Sequence, residues 1–369
     1  ASLLLVGGFL SSAFLVSSLD NGVGRFPPLG YNTWNDVGCS GVSEASIMSV
    51  ADAMDRNGLR TLGYRYLNLD DCWQDQRGRD AITGRLRPDP QRFPNGLRTL
   101  AETLHTRGFL FGIYTDRGSK TCAGRPGSLN AEDLDAQTFA EWGVDYVKED
   151  NCHSSTGAND RGTLFKQFQL FRDALNRTGR SIFFSVCGGG DQLMFSNLSY
   201  YATDLRGGAA LANSWRISSD CVEWRTCHFA FRVAAGLGSK AQPGGFNDPD
   251  MLLGSSGGSA RQLSQDRSRT QFSIWAILMA PLLIGTHPAR MSAHDLETYS
   301  NAEVIAVNQD PLGKQGFMLS DTGLKVVWGR QLADRSWALV FQNDFFFLPL
   351  DVVCDMDCWA KLPFQNGTS

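Results

Sequence analysis

The stretch Gly143-Val144-Asp145-Tyr146-Val147-Lys148-Glu149-Asp150-Asn151-Cys152 decides how the chain is read. Its apolar, β-branched centre predicts a strand, and that strand ends in charge and runs directly into a polar loop. In a parallel barrel the interior is packed solid, so side chains become available for chemistry where the strands end. Asp150 has that placement. Further on, Trp215-Arg216-Ile217-Ser218-Ser219-Asp220 delivers a second carboxylate from another short segment, with an arginine four residues before it.

Working outward, strand-like and helix-like segments alternate along most of the chain. Gly30-Tyr31-Asn32-Thr33-Trp34 reads as a strand. Behind it a helix is expected, capped by Ser43, with Ile47, Val50, Ala51 and Met54 on one face and Asn57-Gly58 as its stop. Tyr66-Leu67-Asn68-Leu69-Asp70 follows as strand. Leu97, Leu100, Ala101 and Leu104 then give helical spacing up to Gly108, and Leu110-Phe111-Gly112-Ile113-Tyr114 returns to strand. A helix from Leu134 to Trp142 precedes the Asp150 strand, and Leu164, Phe168, Phe171 and Leu175 mark the helix after it. Ile182-Phe183-Phe184-Ser185-Val186, the Trp215 segment, Phe246-Asn247-Asp248-Pro249-Asp250 and Leu282-Leu283-Ile284 supply the remaining strands, with a long apolar helix around Phe272 to Leu278. Ser292-Ala293-His294-Asp295 resembles the capping box of a last helix ending near Val307.

Such alternation predicts a (β/α)₈ TIM barrel rather than a doubly wound sheet, whose strands would be fewer. Pro311-Leu312-Gly313 marks its end. Beyond it, Lys325-Val326-Val327-Trp328, Trp337-Ala338-Leu339-Val340-Phe341 and Phe345-Phe346-Phe347-Leu348 are short runs without helical period, so a small, incomplete antiparallel β domain is expected. The organisation is then a leader over 1–24, a barrel over 25–312 and a β domain over 313–369.

With 369 residues, 42% of them apolar, the chain can bury a large core, and its net charge of −4 disfavours polyanionic partners. It contains no Lys/Arg run, no basic stripe with interleaved aromatics and no glycine-rich phosphate cradle, which argues against nucleic-acid and nucleotide binding. Near the start, Leu3-Leu4-Leu5-Val6 through Phe14-Leu15-Val16 is uncharged and apolar. Its length suits the central region of a signal peptide better than a membrane span of about 20 residues, although a basic segment before it is missing. No stable membrane span is expected.

The cysteines fit export. The 9 of them form no CxxC pair, and the 5 histidines show no zinc spacing, so no metal is expected. Cys39 with Cys72 and Cys122 with Cys152 would tie neighbouring loops, while Cys221 with Cys227 and Cys354 with Cys358 would close local ones. That leaves Cys187 as the orphan. Sequons at Asn176-Arg177-Thr178, Asn197-Leu198-Ser199 and Asn366-Gly367-Thr368 are compatible with a secreted glycoprotein.

Two aspartates on separate strand ends suggest glycoside hydrolysis. Six motifs in order sharpen this: Pro27-Pro28-Leu29-Gly30-Tyr31-Asn32-Thr33-Trp34-Asn35, Leu69-Asp70-Asp71-Cys72-Trp73, Gly112-Ile113-Tyr114-Thr115-Asp116, the Asp150 stretch, Gly245-Phe246-Asn247-Asp248-Pro249-Asp250-Met251-Leu252 and Val304-Ile305-Ala306-Val307-Asn308-Gln309-Asp310-Pro311-Leu312-Gly313. Together they resemble family 27 of the glycoside hydrolases, the α-galactosidase and α-N-acetylgalactosaminidase group. The resemblance implies a retaining exo-α-galactosidase without metal or organic cofactor, acting on glycans, secreted or lysosomal/vacuolar; the oligomeric state stays open, a homodimer included. It maps the nucleophile onto Asp150 and the acid/base onto Asp220. Asp70 and Asp71 would clasp the sugar's O4 and O6 hydroxyls and Trp34 would wall one sugar face. Tyr114, Lys148, Cys187, Arg216, Asp250 and Met251 fall on further substrate-binding positions.

The chain departs from the family pattern at three places. After Cys187, where members carry residues that read the sugar's 2-position, Gly188-Gly189-Gly190 offers no side chain. An α-N-acetylgalactosaminidase or a β-L-arabinopyranosidase therefore stays open beside α-galactosidase, and a sugar-binding protein without catalysis is disfavoured because both aspartates are present. Glu149 stands where the family usually has an aromatic residue, and Phe246 where it often has tryptophan.

Overall fold

The computed structural model describes residues 19, 21–154, 161–187, 208–257, 262–345 and 349–362, with only the backbone described at 161–164 and 209. Eight parallel strands form one curled sheet: β1 (Leu29–Asn32), β2 (Tyr66–Asn68), β3 (Leu110–Asp116), β4 (Tyr146–Asp150), β5 (Phe183–Val186), β6 (Ser214–Arg216), β7 (Phe246–Asp248) and β8 (Leu282–Ile284). Their order is β7-β6-β5-β4-β3-β2-β1-β8, so each strand lies beside its neighbour in sequence and β8 returns to β1. This is the expected TIM-type barrel. Outside it run α1 (Trp34–Gly41), α2 (Glu44–Arg56), α3 (Gly96–Thr106), α4 (Glu132–Glu141), α5 (Arg161–Arg177), α6 (Trp224–Ala235), α7 (Gln265–Ile277), α8 (Ala293–Tyr299) and α9 (Ala302–Asn308).

The helices form where sequence and packing agree. On α2, Ser43 accepts a hydrogen bond from the Ser46 N–H and Ser46 Oγ accepts one from the Ser43 N–H, so the orphan donors of the first turn are satisfied reciprocally. Ile47, Val50, Ala51 and Met54 are all buried, and Gly58 stops the helix at φ +73°. On α5, Phe168, Phe171 and Leu175 face inward as their spacing requires. Gly30 is needed for a different reason: a Cβ there would stand 2.0 Å from the Tyr66 carbonyl oxygen.

Between β7 and β8 the described residues show no ladder. Closure falls to one parallel bridge, Leu252 to Ile284, in which the Leu252 N–H donates to Leu283 O (2.8 Å) and the Gly285 N–H to Leu252 O (2.9 Å). The chain reaches it by turning at Asp250, whose φ is +85° and whose carbonyl accepts from Trp275 Nε1 at 2.7 Å.

Several details differ from expectation. Trp34 opens α1 instead of ending a strand. The last helix is two, because Asn301 caps a new one by accepting from Glu303 N and Val304 N. Ser292 does cap α8, but Asp295 closes no box there; its carboxylate accepts from Ser255 N, Ser255 Oγ and Ser268 Oγ at 2.8, 2.9 and 2.8 Å. A separate three-stranded antiparallel sheet, β9 (Phe317–Asp321), β10 (Lys325–Gln331) and β11 (Trp337–Asn343), follows, and α10 (Met356–Ala360) after it. Phe317–Asp321 was not anticipated as a strand. Phe345 lies outside the strands, and 346–348 outside the described residues, as do most of the leader and the sequons at Asn197 and Asn366. No helix of the described residues is long and apolar enough to cross a membrane.

Candidate active site

One pocket of about 420 Å³ opens where the parallel strands end. Trp34, Asp70, Asp71, Tyr114, Lys148, Asp150, Arg216, Asp220, Asp250 and Met251 all line it. They come from the ends of β1, β2, β3, β4, β6 and β7, or from the residues just beyond them. The alternation of side chains along β4 puts Lys148 and Asp150 into the pocket and leaves Glu149 on the opposite face.

Asp150 is buried and accepts two hydrogen bonds, from Tyr114 Oη at 3.1 Å and from the Asn151 N–H at 2.8 Å. Burial pushes its carboxyl above the usual range, against the pull of Lys148. Lys148 Nζ lies 2.9 Å from Asp70 Oδ2 and 5.0 Å from the centre of the Tyr114 ring. Burial works against its charge, yet Asp70 and Asp150 hold the ammonium well above its ordinary value. Asp70 also accepts from Asn32 Nδ2 at 2.8 Å. Asp71 is fixed by the N–H groups of Cys72 and Ala123, at 2.7 and 2.8 Å, with burial raising its carboxyl.

On the opposite wall Arg216 serves two carboxylates. Its Nη2 lies 2.9 Å from Asp220 Oδ1 and 2.9 Å from Asp250 Oδ2. Asp250 also accepts from the Cys221 N–H at 2.8 Å, and burial pushes it up to about 6 despite Arg216. The Asp220 side chain is 62% exposed, and Arg216 holds it below the usual carboxylate range. Two carboxyls with opposite shifts thus share one pocket, one buried and one open.

Disulfides join Cys39 to Cys72, Cys122 to Cys152, Cys221 to Cys227 and Cys354 to Cys358, and Cys187 is a buried free thiol. Three of the four therefore brace segments next to Asp71, Asp150 and Asp220. Asp116, Cys122, Asp150 and Cys152 crowd together, but both sulfurs are spent in the disulfide and neither is a thiolate donor.

A family model described as α-galactosidase A matches residues 27–310. The chain belongs to the α-galactosidase A family. It is 41% identical over 330 residues to an α-galactosidase of Oryza sativa subsp. japonica, covering 88% of this chain and 73% of that protein. To the α-galactosidase of Cyamopsis tetragonoloba it is 40% identical over 352 residues, covering 95% and 79%. The solved structure of the Saccharomyces cerevisiae α-galactosidase with raffinose superposes with a TM-score of 0.77 at 33% identity, covering 88% of this chain and 75% of that one.

Against the family pattern, Cys187 is the one expected position that does not line the pocket. It stands behind Arg216, its Sγ 3.8 Å from Nη1. Asn35 and Cys122 line the pocket without having been singled out for it. Asn35 closes the first motif directly after Trp34, and Cys122 is brought in by its bond to Cys152, so both carried a readable signal. Gly188, Gly189 and Gly190 lie outside the described residues.

Proposed function

We propose that the chain is a retaining exo-α-galactosidase that removes terminal α-linked galactose from oligosaccharides or glycoconjugates. The observation that carries this reading is that Asp150 and Asp220 line the same pocket in a chain of the α-galactosidase A family. An Asp150 oxygen attacks the anomeric carbon while the Asp220 carboxyl gives its proton to the departing glycosidic oxygen. The C1–O bond breaks as the ester bond to Asp150 forms. Water, giving a proton to the Asp220 carboxylate, then releases the sugar and restores Asp150, with two inversions and net retention.

The surroundings suit these roles. Tyr114 and the Asn151 N–H stabilise Asp150 as a carboxylate, and Lys148 adds positive charge nearby. Asp220 is ionised beside Arg216 in the open pocket. A sugar seated over it removes water, which favours the neutral acid, while Arg216 keeps Asp250 as its alternative partner. Asp70 and Asp71 are placed to receive sugar hydroxyls, and the ring of Trp34 to cover a sugar face. The raffinose complex of the yeast relative supports galacto-oligosaccharides as a substrate class. Four disulfides favour an oxidising compartment, secreted or lysosomal/vacuolar. On this reading the catalytic unit runs over 25–312 and the β domain over 313–369.

Asp150→Asn tests the assignment. Turnover of p-nitrophenyl α-galactoside should drop about a thousandfold or more with the fold intact, and azide should restore cleavage with an inverted product. Residual turnover of several per cent of the parent's would remove Asp150 from this role.

A further inference from the structure

Glu149 sits next to the proposed nucleophile and takes no part in the pocket. It is 0% exposed, and neither carboxyl oxygen has a hydrogen-bond partner among the described residues. In the sheet it is paired with Thr115 on β3 and Val186 on β5, so neighbouring strands hold it on both sides. The charged groups acting on it are mostly of its own sign: Asp116 from β3, and Glu132 and Asp135 from α4. Arg117 opposes them across space, with no hydrogen bond between the two: its Nη2 donates to Ser154 Oγ at 3.0 Å and its guanidinium lies 5.6 Å from the centre of the Phe168 ring. Arg79 is committed to Asp135, at 2.7 and 2.6 Å.

A carboxylate in such a place would be a buried charge without a hydrogen bond among the described residues, with Arg117 alone set against three acids, and such groups neutralise instead. We infer that Glu149 is a positioning residue that must stay protonated, holding β4 and with it Asp150 in register only while its carboxyl is neutral. Once Glu149 ionises, the strand must yield to let the charge reach water or Arg117, and the geometry of the adjoining Asp150 with Tyr114 and Asn151 goes with it. Burial pushes the Glu149 carboxyl well above its ordinary range, and the neighbouring acids push it further. The sign follows. A raised folded-state value gives stability that is present below the unfolded value of about 4.3 and is lost as pH rises towards the folded one. Asp116 beside it, itself pushed up to about 7 by burial, turns negative within that range and strengthens the effect.

The inference rests on Asp150 being the nucleophile only for its consequence in catalysis; its structural part stands without any sugar hydrolysis. Thermal melting of the full chain and of Glu149→Gln should therefore be compared between about pH 5 and pH 8. One proton less is at stake in the variant, up to tenfold in the unfolding equilibrium per pH unit, so its fall in Tm should be smaller by about 3 °C or more. In parallel, the alkaline loss of kcat on p-nitrophenyl α-galactoside should move to higher pH in the variant with KM unchanged. Glu149→Phe, which restores the aromatic character usual in the family, should act in the same direction if the amide folds poorly. Hydrogen exchange across residues 146–152 in the parent, corrected for intrinsic rate, should quicken from pH 5 to pH 8. Equal melting slopes in parent and variants, an unmoved kcat limb, or flat exchange would each overturn the inference. Loss of all hydrolysis alongside a reduced melting slope would instead count against the α-galactosidase reading alone.

Discussion

Tyr114→Phe isolates a single interaction at the proposed nucleophile. The hydroxyl donates to Asp150 Oδ2 at 3.1 Å, while the ring is 1% exposed and lies 5.0 Å from Lys148 Nζ. Phenylalanine keeps the ring, its packing and its contact with the ammonium, and removes the bond to Asp150 together with a weak 3.3 Å contact from the hydroxyl to Cys122 Sγ. A hydrogen bond to a charged group contributes about 1.5 to 3 kcal/mol, and a length beyond the usual O–H···O range of about 2.5 to 3.0 Å places this one near the lower end. The bond favours the carboxylate over the acid, so its loss makes Asp150 easier to protonate. Each 1.36 kcal/mol moves an ionisation by one unit, and the acid limb of kcat/KM should therefore climb by about one unit. Above the limb the nucleophile is charged in both proteins, and the two profiles should converge to within a few-fold. The limb of kcat/KM reports the free enzyme, so rates at low substrate from about pH 3 to pH 8 suffice. A limb that stays in place, or a uniform fall at every pH, would refute the reasoning and make Tyr114 a contact to substrate instead.

Two other outcomes are expected. Asp220→Ala should impair natural oligosaccharides far more than aryl galactosides with good leaving groups, by about 100-fold or more in relative kcat/KM, because only the former need a proton at the departing oxygen; equal losses on both would point to another acid. Gly30→Ala drives a Cβ to within 2.0 Å of a backbone oxygen on the paired strand, where neither strand can withdraw without breaking the ladder. It should cost about 3 kcal/mol or more, read by denaturant unfolding, and an unchanged midpoint would mean that β1 and β2 pair more loosely than the register states.

Much of this molecule could be read from its residues, for reasons that differ by element. β4 was legible because β-branched residues run into charge within one segment. The spacing of Ile47, Val50, Ala51 and Met54 announced α2, and Ser43 and Gly58 bounded it. Helix α6 was missed although Cys227, Ala230, Phe231 and Ala234, all buried, stand at helical intervals; the signal was there but diluted by polar and aromatic neighbours. Helix α1 offered none, since its Thr33 cap makes no side-chain hydrogen bond and Gly38 breaks its helical geometry at φ +50°. The break between α8 and α9 turns on one asparagine cap, which a continuous apolar period conceals. In the site, the resemblance supplied the residues but could not supply their relations. That Arg216 is shared between Asp220 and Asp250, or that the Asp295 carboxylate turns to Ser255, Ser256 and Ser268, depends on chain segments far apart in sequence.

The single bridge at Leu252 ties the architecture of the barrel to the wall of its pocket. Asp250 and Met251 line the pocket, and the next residue bridges to β8. Any remodelling of that wall for a different sugar would therefore also test the clasp that shuts the barrel, and Trp34 is tied to it as well, since its ring packs against the cluster that holds Met251 and Leu283. New specificity should therefore be costly to evolve, or to engineer, on either side of the pocket.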